Sequence, residues 1–469
     1  MSHDYEEIAE LDAVTLVQLF KQGELSPVDA TRASLARIET CNKDVNAYCH
    51  VAEESALAAA AESEKRWLNK SPLSMIDGVP SSIKDLTKTK DMPMRSGSLT
   101  SSDALQTEDA PFAARMREAG AVILGKTTSP EFGWKGVTDS RVTGITCNPW
   151  DISKTAGGSS GGAAVAASLN MGVLHQGSDA GGSIRIPGGF CGVFGIKPTF
   201  GYIPQWPASA MTTLSHLGPM TRTVADSLLM MDVVAQPDPR DWYSDRHFNG
   251  KWFAIPEQPL QGLRVAYSPT LGYVDVDPAV RQCVDQAVAK LVELGAQVEE
   301  VDPGFSDPLE MFSTLWFAGA GKVISTMSEI QRELLDPGFR AIAEQGEKIA
   351  ITDYMKAVDA RAALGSRMEM FHQQYDLLIT PTLPITAFEA GRDTSSPEQQ
   401  YWMEWTPFSY PFNLTQQPAA TLPCGLAKGM PVGLHVVAAK GKDALVFNAC
   451  RQLETLVASG HPQRPKGNS

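Results

Sequence analysis

Cysteine is sparse in this 469-residue sequence, and it follows no pattern. The seven residues (Cys41, Cys49, Cys147, Cys191, Cys283, Cys424 and Cys450) are scattered and odd in number, with no Cys-x-x-Cys pair. That argues against a zinc ribbon or a thioredoxin-type site. Reduced, mostly buried thiols of a cytoplasmic protein are the expectation. No uncharged apolar run reaches the ~20 residues needed to cross a bilayer. Met1 to Glu10 is acidic and lacks a basic start and an apolar stretch, so no secretory signal is expected. The Asn413-Leu414-Thr415 sequon then carries no weight. Positive charge is in deficit, with 40 Lys+Arg against 54 Asp+Glu and a net charge of −14. This argues against nucleic acid or an anionic membrane as partner. Histidine is scarce too, and neither His175 nor His216 stands in a recognisable catalytic motif.

What is present describes an ordinary globular chain, 43% hydrophobic and 20% charged. Asp12 to Gln22 reads as a helix stopped by Gly23, and Ser26-Pro27 caps and starts a second. Ala56 to Trp67 is a third helix, rich in alanine. Ser81 to Leu86 reads as a strand carrying Lys84, and Ala121 to Leu124 as a buried strand after the helix Pro111 to Ala119. Helices are expected over Thr223 to Ala235 and Asp277 to Leu294. Strands are expected over Leu263 to Tyr267, Gln297 to Val301, Asp376 to Thr380 and Val432 to Ala438, before a last helix from Ala444 to Val457. Helix followed by buried strand recurs, which implies an α/β sheet with helices on both faces. Residues 304–375 are nearly all helical in pattern, an insertion over the sheet. The tail, Gly460 to Ser469, is polar and loose in composition. No repeat or linker divides the chain, so a single domain over 1–469 is expected.

Two glycine-serine clusters dominate the sequence. Thr155-Ala156-Gly157-Gly158-Ser159-Ser160-Gly161-Gly162 leads into a helix-like run from Ala163 to Met171. Ser178-Asp179-Ala180-Gly181-Gly182-Ser183-Ile184-Arg185-Ile186-Pro187 follows it. Glycine lets other atoms approach the backbone closely. Ala180, Gly181, Gly182 and Ser183 offer consecutive N–H groups with little bulk, which suits an oxyanion hole, where one donor is worth roughly 3–4 kcal/mol of barrier. Without a histidine, the base for a serine nucleophile has to be found elsewhere. Lysine serves only when neutral, and its ordinary pKa of about 10.4 falls on burial away from carboxylates. Lys84 lies in an apolar-flanked strand, and Asp85 beside it points to the opposite face. A serine hydroxyl both donates and accepts, so it can relay a proton between such a lysine and a second serine.

Together with Gly78-Val79-Pro80-Ser81-Ser82-Ile83-Lys84-Asp85, these clusters resemble the amidase signature family of serine amidohydrolases. The resemblance is densest over 78–198 and returns at Tyr410-Pro411-Phe412-Asn413-Leu414-Thr415 and Pro431-Val432-Gly433-Leu434. It implies a large mixed β-sheet core under helices, with the cover at about 304–375 lying over the active site. It also implies a triad of Lys84, Ser159 in a cis peptide, and the nucleophile Ser183, with the two serines 24 residues apart. Asp179, Arg185 and Ser160 are implied as supporting residues, and Ala180, Gly181 and Gly182 as the oxyanion hole. The implied reaction is hydrolysis of a small-molecule amide through an acyl-enzyme, by a monomer or homodimer that needs no metal or cofactor.

Two look-alike motifs compete. Gly120-Ala121-Val122-Ile123-Leu124-Gly125-Lys126-Thr127 fits a phosphate-binding loop, but its apolar centre is the buried strand itself. Gly158-Ser159-Ser160-Gly161-Gly162 fits a nucleophile elbow that would make Ser160 the nucleophile, but no strand precedes it. A rival within the resemblance is the amidase component of a tRNA-dependent amidotransferase, which releases ammonia from glutamine. That component's tyrosine-rich segment is not found before the final strands. Members of the family cleave aryl amides, fatty amides, nylon oligomers and carbamates, the last as urethanases. Met311, Phe312, Leu315, Trp316, Phe317 and Met327 suggest an apolar acyl or aryl substrate, and could equally be core.

Overall fold

A computed structural model describes residues 5–244 and 251–457. The expectations for the first four residues and for the tail lie outside them. An eleven-stranded mixed sheet runs through the molecule. In chain order the strands are β1 (Tyr48–Val51), β2 (Pro80–Lys84), β3 (Val122–Thr127), the small ribbon β4 (Asp139–Ser140) and β5 (Gly144–Ile145), β6 (Leu174–Asp179) and β7 (Phe194–Lys197). They continue as β8 (His216–Thr221), β9 (Arg264–Tyr267), β10 (Gln297–Glu300), β11 (Leu377–Pro381), β12 (Ala419–Ala427) and β13 (Met430–Ala438). The order across the large sheet is β1-β3-β2-β6-β8-β7-β12-β13-β11-β9-β10. Strand β2 pairs in parallel with both β3 and β6, and β6 pairs antiparallel with β8.

Side chains alternate between two buried faces. Ile123 joins one hydrophobic cluster while Val122 and Leu124 join another, and Leu377 and Ile379 face away from Leu378 in the same manner. Helices Val224–Val234, Pro278–Glu293 and Asp443–Val457 pack into the first cluster, and the wholly buried helix Gly161–Ser168 into the second. The helix starts follow the sequence. Asp12 caps Ala13–Gln22, and Gly23 closes it in the left-handed region at φ 73°. Ser26 caps Pro27–Val45.

Five strands of the large sheet were not expected: β1, β6, β7, β8 and β12. Four of them stand side by side in its middle. Their sequences, such as Leu-His-Gln-Gly-Ser-Asp in β6 and His-Leu-Gly-Pro-Met-Thr in β8, are poor in β-branched residues, so propensity does not flag them. Pro219 lies within β8, opposite Gln176.

The expected helical cover is present as helices Leu309–Ile324, Glu329–Glu333, Pro337–Gly346 and Ile351–Phe371. It packs in one cluster with Trp134, Ile186 and Phe190 of the signature region and with Trp402 and Tyr410 further on. Two buried polar links pin it. Glu131 accepts the Asp336 N–H at 2.6 Å. The Lys135 ammonium reaches Asp139 at 2.6 Å, Asp393 at 2.7 Å and Asp336 at 3.6 Å.

The tightest point of the sheet centre tests this packing. A Cβ on Gly218 of β8 would land on the Ile196 carbonyl oxygen of neighbouring β7. Gly218→Ala is expected to cost about 3 kcal/mol of stability, read as a lowered midpoint in chemical denaturation.

Candidate active site

Lys84 ends β2 and is fully buried. Its Nζ lies 2.7 Å from Ser159 Oγ, 2.9 Å from Ser160 Oγ and 3.0 Å from Ser178 Oγ. All three neighbours are hydroxyls. Burial holds the ammonium well below the ordinary lysine value, against the opposing charge of Asp179. Asp85, in the turn that follows β2, interacts instead with Lys126 and accepts the Arg95 N–H. The Gly158–Ser159 peptide is cis. Ser160 Oγ donates to the Ser178 carbonyl at 3.1 Å and accepts the Ser178 N–H at 3.2 Å, which ties the first serine cluster to the end of β6.

The second cluster is a turn held from beneath. Asp179 accepts the N–H groups of Gly182 at 2.7 Å and Ile184 at 3.2 Å, and pairs with Arg185 at 2.9 and 3.0 Å. Asn413 Nδ2 adds bonds to the Asp179 carboxylate at 2.8 Å and to its carbonyl at 3.0 Å. Arg185 extends the network to the Ser409 carbonyl and Asn413 Oδ1. Its charge and these donors hold the Asp179 carboxyl well below the usual carboxylate range, despite burial. Gly182 takes φ 125°, and a Cβ there would meet Ser409 Oγ.

The residues expected at the oxyanion hole differ in what their N–H groups already bind. The Gly182 N–H is already engaged with Asp179. Among the described residues, the N–H groups of Ala180, Gly181 and Ser183 make no hydrogen bond within the chain.

Ser183, 3% exposed, borders a cavity of 230 Å³ together with Ser159, Ser178 and Ala180. No hydrogen bond joins the Ser183 hydroxyl to Ser159 in this structure. Leu86, Met94, Phe132, Met211, Trp316 and Val323 give the cavity an apolar wall. Of the aromatic and methionine residues expected there, only Trp316 lines it. Phe312, Leu315 and Phe317 are core, with Phe312 stacked on Tyr410 at 4.8 Å between ring centres, and Met311 borders a separate surface groove. Sequence reasoning missed Ser178, the penultimate residue of β6, as a partner of Lys84, and the wall segment 205–211, a coil with no motif.

The look-alike motifs find no matching context. Lys126 lies inside β3, donating to the Thr87 carbonyl and Thr89 Oγ1, and no helix follows Thr127 directly. No strand precedes Gly158. His175 bonds to Ser82, and neither it nor His216 bonds to Ser159 or Ser183.

The amidase family model matches residues 29–447, which contain every strand of the large sheet. The chain belongs to the amidase signature family. An acylamidase of Rhodococcus erythropolis in this family is 36% identical over 95% of both chains. A glutamyl-tRNA(Gln) amidotransferase component from Salinispora tropica is 32% identical, over 97% of this chain and 99% of its own length. A bacterial aryl acylamidase of the amidase signature family superposes with a TM-score of 0.89 at 26% identity, covering 97% of this chain and 99% of that one. The protein is therefore an amide-hydrolysing enzyme with a mixed α/β amidase signature fold, and among the described residues no helix is long and apolar enough to cross a membrane.

The Asp179–Arg185 pair at the heart of this site carries a testable cost. Arg185→Met leaves a buried carboxylate without its cation, and is expected to lose about 3–5 kcal/mol. Urea denaturation at neutral pH measures it.

Proposed function

We propose that the protein is a stand-alone acylamidase that cleaves apolar or aryl amides through a Ser183 acyl-enzyme, with Lys84 as base and Ser159 as relay. The observation that carries this reading is a fully buried amine whose hydrogen-bond partners are three serine hydroxyls.

The proton inventory supports it. Ser160 spends its one hydroxyl proton on the Ser178 carbonyl, so toward Lys84 it can only accept. A neutral amine has two N–H donors and one lone pair. With one N–H committed to Ser160, one of Ser159 and Ser178 takes the second, and the other faces the lone pair. When Ser159 faces it, Ser159 passes its proton to Lys84 and draws the Ser183 proton in turn. The Ser183 oxygen attacks the amide carbon, and the carbonyl oxygen collects negative charge beside the free N–H groups of Ala180, Gly181 and Ser183. The proton then returns through Ser159 to the leaving nitrogen. Water repeats the cycle on the acyl-enzyme and releases the acid. Asp179, Arg185 and Ser160 act by holding the turn and the amine in place.

The apolar wall of the 230 Å³ cavity and the likeness to acylamidases support an apolar or aryl substrate. One sheet drawing strands from residues 48 to 438 supports a single domain. The amidotransferase-component reading has its own support in the 32% identity over nearly full length. Turnover of a simple amide by the purified chain favours the first reading, whereas glutaminase activity that appears only with partner proteins favours the second.

Ser183→Ala is expected to lower kcat on the order of 10³-fold or more; retained turnover removes the mechanism. The base works only when neutral, so kcat/KM is expected to be full above the folded pKa of Lys84 and to fall as pH drops through it. Burial puts that midpoint well below the ordinary lysine value of about 10.4. A profile flat to low pH, measured on a chromogenic anilide, excludes Lys84 as the base.

A further inference from the structure

A second cavity, of 240 Å³, adjoins the catalytic one and shares Gln205, Ala208, Ser209, Ser215 and Leu217 as walls with it. Its character is different. Phe200 and Tyr243 meet edge to face at 5.3 Å, Tyr243 lies against Trp242 at 4.3 Å, and Phe200 meets the His216 ring at 5.5 Å. These four rings line a chamber suited to a flat group.

His216 lines that chamber beside other polar residues, among them Thr199, Thr212, Asp241 and Lys322, and its tautomer follows from its neighbours. Nδ1 lies 2.8 Å from the Leu214 carbonyl and 3.3 Å from the Asp179 carbonyl, two acceptors, so Nδ1 carries the hydrogen. Burial, with Lys197 nearby, holds the imidazole well below its ordinary pKa, and the ring is neutral. Nε2 is therefore a lone-pair acceptor. It is buried on a residue that is 4% exposed, and it has no hydrogen-bond partner among the described residues. A buried acceptor without a donor costs free energy, and a ligand that brings a donor recovers it.

We propose that this chamber is a second substrate subsite, taking a planar group that carries an O–H or N–H donor, which His216 Nε2 reads. Substrates of this enzyme then extend from the scissile amide, past the shared Ser209 and Leu217 wall, into the aromatic chamber. The inference rests on the amidase reading above, and it assigns specificity rather than catalysis to His216.

The test compares pairs of anilides of graded length, each para-substituted either with a hydroxyl or with its methyl ether. In the wild-type enzyme one length is expected to show a kcat/KM preference of about tenfold for the hydroxyl member, carried mainly by KM. His216→Phe keeps a ring of similar size and removes the acceptor, so the preference is expected to fall to about one. Tyr243→Ala, at a position 42% exposed, is the companion variant should His216→Phe fail to fold. It is expected to raise KM for the extended substrates more than for a short aliphatic amide. A wild-type enzyme that hydrolyses simple amides without any hydroxyl preference overturns the inference, as does a preference that survives in His216→Phe or KM values that Tyr243→Ala raises equally for short and extended substrates. Absence of all amide turnover fails the amidase reading instead.

Discussion

An amine is buried here without a carboxylate of its own, and the site is arranged around that condition. Lys84 lies under the sheet surface where its charged form has lost water, and only hydroxyl oxygens replace that water. The carboxylate that acts on it among the described residues, Asp179, is already claimed by Arg185, Asn413 and two backbone N–H groups. Without that capture, an anion beside Lys84 would restore its charge and its ordinary basicity. The Asp179 network thus has two consequences. It shapes the turn that presents the free N–H groups, and it keeps a negative charge occupied elsewhere.

The sheet makes both possible. Strand β2 delivers Lys84 beside β6, and β6 runs on through Ser178 and Asp179 into the turn that carries Ser183. The buried helix Gly161–Ser168 starts just after Ser159 and Ser160, so its small side chains let the first serine cluster lie against the end of the same strand. The cover helices add the roof. They place Trp316 and Val323 on the cavity, while Phe312 anchors the helix to Tyr410 and Trp402 and Phe317 meets Tyr401.

Much of this was legible in the residues, and what was not had physical causes. Caps such as Asp12, Ser26 and Gly23 announced helix ends because they satisfy orphan backbone groups locally. Lys84, Ser159 and Ser183 stood out through their likeness to the motifs of the amidase signature family, and the fold brings Lys84 Nζ within 2.7 Å of Ser159 Oγ. The central strands were not. In β6, β7 and β8, glycines, a proline and polar residues occupy positions buried on both faces, where close strand packing and internal hydrogen bonds outweigh propensity. The aromatic run at 311–317 showed hydrophobicity but not direction, and only the helix packing separates Trp316 from its core neighbours. The segment 205–211 and His216 offered no pattern at all, since their roles arise from which elements fold against them.

Burial alone does not single out a base, because three lysines among the described residues are fully buried. Lys126, one strand over from Lys84, donates to the Thr87 carbonyl and Thr89 Oγ1, and with Asp85 nearby its pKa falls only to about 8. Lys197 donates to the carbonyls of Gln417 and Pro198. A carbonyl accepts a hydrogen bond but has no proton to give, so an amine held mainly by carbonyls can be desolvated and still take no part in a relay. Of the three, Lys84 alone is surrounded by hydroxyls, and two of them, Ser159 and Ser178, can donate in one step and accept in the next. The chemistry of the neighbours, more than the depth of the amine, is what distinguishes the proposed base from two lysines that serve the scaffold.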